Sequence, residues 1–518
     1  MRALSLKRPV WRNWTFVVSG CASLVMAAAA RAETAPGGAV EAVTAKLDAL
    51  FEQSWREAGV RPAEAADDAR FLRRVTLDLT GLIPTVGEIR TFLADNRPDK
   101  RRRAIGSLLE HPRHAGHLAR LWRDVLLPRN TEETAAVAFE DWLRTRFQQN
   151  VPYDRVVREI LTARGSVGQS EPVLFIAANS TKPEELAASS SRAFLGLQVR
   201  CAQCHDHPFA PWKQAEFWSF AAFFARLQGP ASPADRTPVA DRADGDVRHP
   251  KTLKVLPPRF LDGAEFSGIG DEPRRAVLAR WVTAPDNPYF AKAAVNRAWW
   301  LLFGRGLVQP VDDLGSHNPA THPEVLELLA DDFVASGFDL RRTIAIIAGS
   351  KPYQLAGAGS GVETEVKATY TAMPVRSLTA RQVYDAILLA SGQRDSVLDG
   401  AVERQAFLAQ FEAPNREPLE YQGGIPQILT LLNGPLVARL TDPASGDLIA
   451  ALMDSPFLSN EKRVETLFLA TLSRVPRDDE REQTKKMMQS KRTDAARAQA
   501  LGDILWALLN STEFVLNH

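Results

Sequence analysis

Apolar residues recur at three- and four-residue spacing along most of the chain, the periodicity of helices that bury one face. Val43, Leu47, Leu50 and Phe51 mark a helix from Val40 to about Trp55. Leu72, Val75, Leu77 and Leu79 mark a second from Asp67 to Thr80, stopped by Gly81 and Pro84. Thr85 is placed to cap a third over Val86–Asp95. Further helices are predicted over Lys100–Glu110, Gly116–Leu127, Ala135–Asn150 and Tyr153–Ala163, with a turn at Asn150 and Pro152 between the last two. The alternation that builds half-buried strands is not found in this half of the chain.

Thr181 and Glu184 have the spacing of a capping box, and Pro183 suits an early helical position. They predict a helix that carries Phe194, Leu197 and Cys201 and ends near His207, ahead of Pro208. The next helix is lined by Phe217, Trp218, Phe220, Phe223 and Phe224. Between Gln228 and Pro258 the composition shifts to Pro, Asp, Arg and Gly. Helical periodicity resumes at Arg274–Trp281, Ala291–Phe303, Pro323–Ser336 and Leu340–Gly349. After a polar gap at Gly357–Glu365 it continues over Thr379–Ser391, Ile425–Leu440, Asn460–Leu472, Asp478–Met488 and Ala495–Asn510. No fixed-period repeat is visible. A chain of 518 residues exceeds what one compact core usually holds. The expected fold is therefore all-α and multi-helical. An N-terminal helical domain over residues 33–227 and a C-terminal one over residues 259–518 are joined by a Pro/Gly/Asp-rich linker at 228–258.

The first residues follow a different pattern. Arg2, Lys7, Arg8 and Arg12 precede an apolar run from Trp14 to Ala30 that ends in Ala30-Arg31-Ala32. This is the layout of a secretory signal over residues 1–32, which implies a periplasmic or extracellular protein. Val18-Ser19-Gly20-Cys21 is similar to a lipobox and leaves a lipid anchor at Cys21 as the alternative, with an uncleaved anchor as a third. Residues 1–32 hold five basic and no acidic residues, so the 63 basic and 62 acidic residues become 58 and 62 after cleavage. No basic patch dominates, which argues against a nucleic-acid partner. No later apolar run approaches the roughly 18 residues that span a bilayer.

Cysteine usage narrows the chemistry. Of three cysteines, only Cys201 and Cys204 lie beyond the signal, in Cys201-Ala-Gln-Cys204-His205. This C-x-x-C-H pattern is that of c-type haem attachment. Two thiols one turn apart can each form a thioether to a haem vinyl group, and His205 can then serve as proximal iron ligand. On a helix the three residues would share one face of the last turn, with the following aromatic helix as a wall shielding the macrocycle. Two other readings stay open: a Cys/His site for zinc or another divalent metal, recruiting His207, and a C-x-x-C disulfide, structural or redox. His207 is too near His205 to reach the opposite face of an iron, so with haem its role would be beside the ring, as would that of Asp206. Met373, Met453, Met487 and Met488 are the methionines beyond the signal, and ordinary packing is the favoured reading for each.

Two further groups of residues attract attention. His111, His114 and His117 recur every three residues and read chiefly as a solvated helix start. Asp312, Asp313, His317 and His322 form a polar concentration among glycines and prolines, where a metal or acid–base chemistry would be at home. Helix capping by Asp313 or Thr321 and surface hydrogen bonding are the plainer explanation. Asn296 and Arg297 are expected to tie this loop to the preceding helix. No Ser-His-Asp order, phosphate loop or H-E-x-x-H motif is present.

Several long segments together resemble a known pair of families. Phe71-Leu-Arg-Arg-Val-Thr-Leu-Asp-Leu-Thr-Gly-Leu-Ile-Pro-Thr85 and the segment from Phe194 through Phe224 resemble the first of two paired domains of unknown function, numbered 1549. Val295-Asn-Arg-Ala-Trp-Trp-Leu-Leu-Phe-Gly-Arg-Gly-Leu-Val308 resembles the second, numbered 1553. So do Asp312-Asp313-Leu314-Gly315, His322-Pro323-Glu324, Leu472-Ser-Arg-Val-Pro476 and Leu508-Leu-Asn-Ser511 with Glu513-Phe514. These are the planctomycete cytochrome-c-associated domains. The resemblance implies an exported, mostly helical protein of cytochrome character, without implying a reaction. Many relatives carry a separate cytochrome c module ahead of the first domain; here the expected haem site is the Cys201 motif.

The leading expectation is an exported cytochrome-like protein carrying one covalent c-type haem, working in electron transfer or redox sensing with a redox partner protein or cell-envelope component. The alternative is a non-haem cell-envelope scaffold or polysaccharide- or protein-binding module whose C-x-x-C is a disulfide or metal staple. A metal-dependent hydrolase built on the Asp312–His322 loop is the third reading.

Overall fold

A computed structural model of the chain describes residues 36–230, 235, 237–266, 272–357, 369–393, 401–411 and 430–518. The signal segment, Cys21 and most of the polar gap at 357–365 lie outside the described residues.

The chain is largely helical, as its periodicity implies. The first part holds α1 (Pro36–Ala58), α2 (Asp68–Thr80), α3 (Val86–Ala94), α4 (Lys100–Glu110), α5 (Pro112–Leu126), α6 (Glu133–Gln148), α7 (Tyr153–Leu161), α8 (Val173–Ala178), α9 (Pro183–Ser190) and α10 (Gln214–Ala221). The middle holds α11 (Arg274–Val282), α12 (Phe290–Phe303), α13 (Pro323–Ala335), α14 (Leu340–Gly349) and the single turn α15 (Lys351–Gln354). The last part holds α16 (Ala380–Ala390), α17 (Ala401–Phe411), α18 (Pro435–Thr441), α19 (Asp447–Asp454), α20 (Asn460–Leu472), α21 (Asp478–Gln489) and α22 (Asp494–Leu509). Residues 425–429 of the helix expected from Ile425 lie outside the described residues. Among the described residues no helix is long and apolar enough to cross a membrane.

Local signals set the helix ends. Asp67 caps α2 by accepting the Arg70 amide, and Gly81, at φ 75°, closes it in the left-handed region. Thr85 and Glu88 cap α3 reciprocally, and Thr379 and Gln382 do the same for α16. Strand structure is slight. β1 (Leu227–Gln228) pairs antiparallel with β2 (Ala240–Asp241), β3 (Val247–Arg248) with β4 (Val255–Leu256), and β5 (Arg376–Ser377) with β6 (Leu516–Asn517). The first two pairs lie in the Pro/Gly/Asp-rich stretch. There Asp241 accepts two hydrogen bonds from buried Arg275, at 2.9 and 2.8 Å, and Val239 packs in the main core.

The main core gathers apolar side chains from Leu47 to Met373, together with Leu469. In it Trp299 stacks on Phe303 at 4.4 Å, with Phe51 of α1 on the other side at 5.7 Å. Such pairs contribute about 0.5–1.5 kcal/mol each beyond their buried area. A second core gathers Leu378 to Phe514 and takes in Leu77 and Ile83. Met373 and Met488 are buried in the two cores, and Met453 and Met487 pack against the second, the packing role expected of all four.

Helix α2 touches both cores and carries the buried charges between them. Arg73 donates to the carbonyls of Thr471 and Phe514, both at 2.8 Å. Arg74 donates to those of Tyr353 and Leu355, at 2.5 and 2.9 Å. The Asp78 carboxylate accepts from Tyr353, Arg376 and Asn517, at 2.7, 2.6 and 2.7 Å. Burial raises its pKa against the pull of Arg376.

The His111, His114 and His117 series is not a solvated helix start. His111 caps α5, but His114 is buried with its Nδ1 2.8 Å from the Leu79 carbonyl. His117 lies over Gly81, where an added Cβ would sit 2.7 Å from its Nδ1. The spacing of three turned these rings inward against α2 rather than toward water.

Candidate functional site

The segment that carries the cysteines departs from the expected helix. Thr181 does not cap it: its backbone is left-handed, at φ 55°, and its hydroxyl donates to the Pro230 carbonyl at 2.7 Å. α9 runs only to Ser190 and widens into one π-helical turn over Ser191–Leu195. Gly196, at φ 63°, then ends it. The reason is tertiary. A Cβ on Gly196 would lie 2.5 Å from Leu314 Cδ1, and the Gly196 carbonyl accepts the Leu314 amide at 2.7 Å. Cys201 therefore sits on a short 3-10 turn, Arg200–Gln203, with Cys204 and His205 after it, and the three do not share a face of an α-helix.

Both thiols are exposed and neither is bonded to the other. α10 holds the loop from beneath, since Trp218 Nε1 and Gln214 Nε2 both donate to the Gln203 carbonyl at 3.0 Å. Asp206 accepts the Gln214 amide at 2.9 Å and pairs with Lys213 at 3.3 Å, which together lower its pKa. The aromatic wall is not a surface. Phe217, Phe220, Phe223 and Phe224 are all buried in the core, and Trp218 bonds to the cysteine loop.

The two imidazoles of the loop are set differently. His205 has its Nδ1 2.7 Å from the Asp206 carbonyl, an acceptor, so Nδ1 carries the proton and Nε2 keeps its lone pair. His207 is the reverse: the amides of Phe209 and Ala210 donate to its Nδ1, at 3.3 and 2.9 Å, which places the neutral ring's proton on Nε2. Burial of this ring, with His317 beside it, lowers its pKa.

His317 belongs to the loop singled out in the second half of the chain, and the fold brings part of that loop here. The His207 and His317 rings lie 6.4 Å apart, and His317 Nε2 is 3.1 and 3.2 Å from the two Asp313 oxygens. Asp312 accepts from Gln198 at 2.9 Å and lies 3.6 Å from Arg192. Asn296 shapes this loop as expected, donating to the carbonyls of Val308 and Val311 at 3.0 Å and accepting the Val308 amide at 3.0 Å. Arg297 instead reaches the other way, donating to the Ala193 carbonyl at 2.6 Å and so fixing the π-helical turn. Neither Asp313 nor Thr321 caps a helix, for Thr321 donates to the Leu307 carbonyl.

His322 is not part of this gathering. It is buried, its ring 4.6 Å from Phe51 and 5.5 Å from Tyr370, with Nε2 3.4 Å from the Ser54 hydroxyl. Among the described residues no group of three or more His, Cys, Asp or Glu side chains is arranged to hold a metal ion. Phe209, 82% exposed beside the motif, is not among the residues the sequence pattern singles out. Its signal was present in Pro208 and Pro211, which break the helix on either side and leave the ring outside.

Fold and site together define a class: a largely helical protein with a cysteine loop from one segment laid against a histidine–aspartate loop from another. Residues 46–229 match the family described as protein of unknown function (DUF1549), and residues 274–406 match that described as protein of unknown function (DUF1553). The chain belongs to the proteins that carry these two families in this order, as the resemblance implies. No curated protein and no solved structure matches the chain. The site draws on both families, Cys201 to His207 from the first and Asp312 to His317 from the second.

Proposed function

We propose that Cys201, Cys204 and His205 hold one covalently attached c-type haem, and that the protein works outside the cytoplasmic membrane in electron transfer or redox sensing. The observation that carries this reading is the setting of His205. Its Nδ1–H is spent on the Asp206 carbonyl, Nε2 is free as a ligand, and two exposed, unpaired thiols precede it in C-x-x-C-H order. Bound there, the haem supplies one-electron chemistry. The chain does the rest: Asp206 sets the tautomer, and Trp218 and Gln214 fix the turn through Gln203. His207, with its Nδ1 occupied by the amides of Phe209 and Ala210, shapes the loop rather than ligating. Asp313 adds negative charge beside the loop, which favours the more positive redox state of a bound centre. A redox partner protein or cell-envelope component is the expected counterpart.

Expression in a host that matures c-type cytochromes should yield a haem-sized mass increase, a Soret band and a positive pyridine haemochrome. Cys201→Ser with Cys204→Ser should abolish all three. Free or disulfide-bonded thiols in the wild-type chain would refute the proposal. Retained partner or polysaccharide binding by the double variant would then support the scaffold reading, and bound zinc in the wild type the metal staple.

A further inference from the structure

A polar cleft of about 390 Å³ opens beside the cysteine turn. It is bounded by the end of α5 at Leu126 and Pro128, the Ala178–Ser180 turn, α9, and the residues Arg192 and Arg200 that flank Gly196 in the chain. Three cations line it, Lys182, Arg192 and Arg200, against one carboxylate, Glu185. That carboxylate is already engaged by Arg200 at 2.8 Å. Arg192 is aimed by its bond to the Val125 carbonyl at 2.9 Å, and Asp312, its nearest carboxylate, is 3.6 Å away. Lys182 pairs with no carboxylate among the described residues.

Neutral polar groups complete the lining in a fixed arrangement. Asn179 is buried, its amide spent on the Phe175 carbonyl at 2.7 Å and its oxygen accepting the Ser189 hydroxyl at 2.6 Å. The rim is strained. Ser180 and Thr181 follow one another in the left-handed region, at φ 54° and 55°, a conformation that non-glycine residues keep only where their surroundings hold them. Here the hold is the Thr181 hydroxyl on Pro230 and the Ser180 and Thr181 amides on Ala177 and Ile176. The strained pair is what sets Lys182 at the mouth of the cleft.

We propose that this cleft binds a small hydroxylated oxyanion, a sugar acid or a sugar phosphate. The excess of cations selects an anion, and Lys182, which pairs with no carboxylate among the described residues, suits a carboxylate or phosphate. Ser180 and Ser189 suit hydroxyls. The volume suits a mono- or disaccharide rather than a single inorganic ion. The site stands whether or not the thiols carry a group.

The test is the thermal midpoint of the full-length protein with galacturonate and with glucose 6-phosphate, against glucose and inorganic phosphate at equal millimolar concentration. At least one sugar anion should raise the midpoint clearly, glucose should not, and inorganic phosphate should act more weakly; the stronger sugar anion identifies the source. Lys182→Gln and Arg200→Gln, both at exposed positions, should each weaken the titrated affinity by about tenfold. The proposal is overturned if neither sugar anion shifts the midpoint, if glucose or inorganic phosphate shifts it as much, or if the shift survives in the Lys182→Gln, Arg200→Gln double variant.

Discussion

Gly196→Ala is the sharpest probe of how the two loops are held together. Two costs add. A non-glycine residue at φ 63° costs about 1 kcal/mol in a left-handed backbone. The new methyl would also lie 2.5 Å from Leu314 Cδ1, 3.2 Å from its Cγ and 3.3 Å from Ala293 Cβ. Overpacking of this kind costs about 1–3 kcal/mol, so the sum is about 2–4 kcal/mol. Leu314→Ala separates the two terms, because it removes the side chain that collides. In that background the glycine replacement should cost only the backbone term, leaving a coupling of about 1–3 kcal/mol between the sites. Urea unfolding followed by tryptophan fluorescence gives all four corners of the cycle. A Gly196→Ala variant within about 0.5 kcal/mol of wild type, or one equally destabilised in both backgrounds, refutes the view that Leu314 imposes the break in the helix.

Other expectations are equally direct. Burial holds the His114 imidazole down at about 4, below its ordinary value near 6.5, so the folded chain keeps it neutral while the unfolded chain takes up a proton. Its contribution is complete above about pH 6.5 and is lost toward pH 4, at up to about 1.4 kcal/mol per unit. The stability gap between wild type and His114→Gln should therefore shrink on acidification, and a gap independent of pH would count against the assignment. Tyr353→Phe removes a 2.7 Å bond to the buried Asp78 carboxylate and should cost about 1–3 kcal/mol in urea unfolding; no loss would mean the group is satisfied without it. His205→Ala, made in a cytochrome-maturing host, should keep the covalent mass increase while changing the absorbance spectrum, and an unchanged spectrum would remove His205 as ligand.

Much of the fold was legible because it rests on local rules. Lys100–Glu110, Leu340–Gly349 and Asn460–Leu472 are read to the residue, since apolar periodicity and stop signals agree there. The periodicity predicts neither α8 nor α19, whose six and eight residues leave too little of it to see, nor the eleven-residue α17. The central helix departs from its local signals for a different reason. The Thr181–Glu184 spacing obeys the capping rule, but Pro230 takes the threonine hydroxyl, and Leu314 decides where the helix stops. The site itself was half visible. C-x-x-C-H is a contiguous pattern, whereas the approach of His317 to His207, and the removal of His322 to a cage of Phe51 and Tyr370, depend on how distant segments pack.

The charges on α2 bear on the order in which the chain becomes whole. Arg73 reaches Phe514, and Asp78 reaches Asn517, near the end of the chain. While the polypeptide is being made, this helix emerges well before these partners, which lie 441 and 439 residues further along. Until then the Arg73 guanidinium has only water to satisfy it, and burying it early would strand charge in an apolar interior. The helix that ties the two cores together must therefore wait, solvated and unfinished, and native closure comes late, with most of the sequence already present.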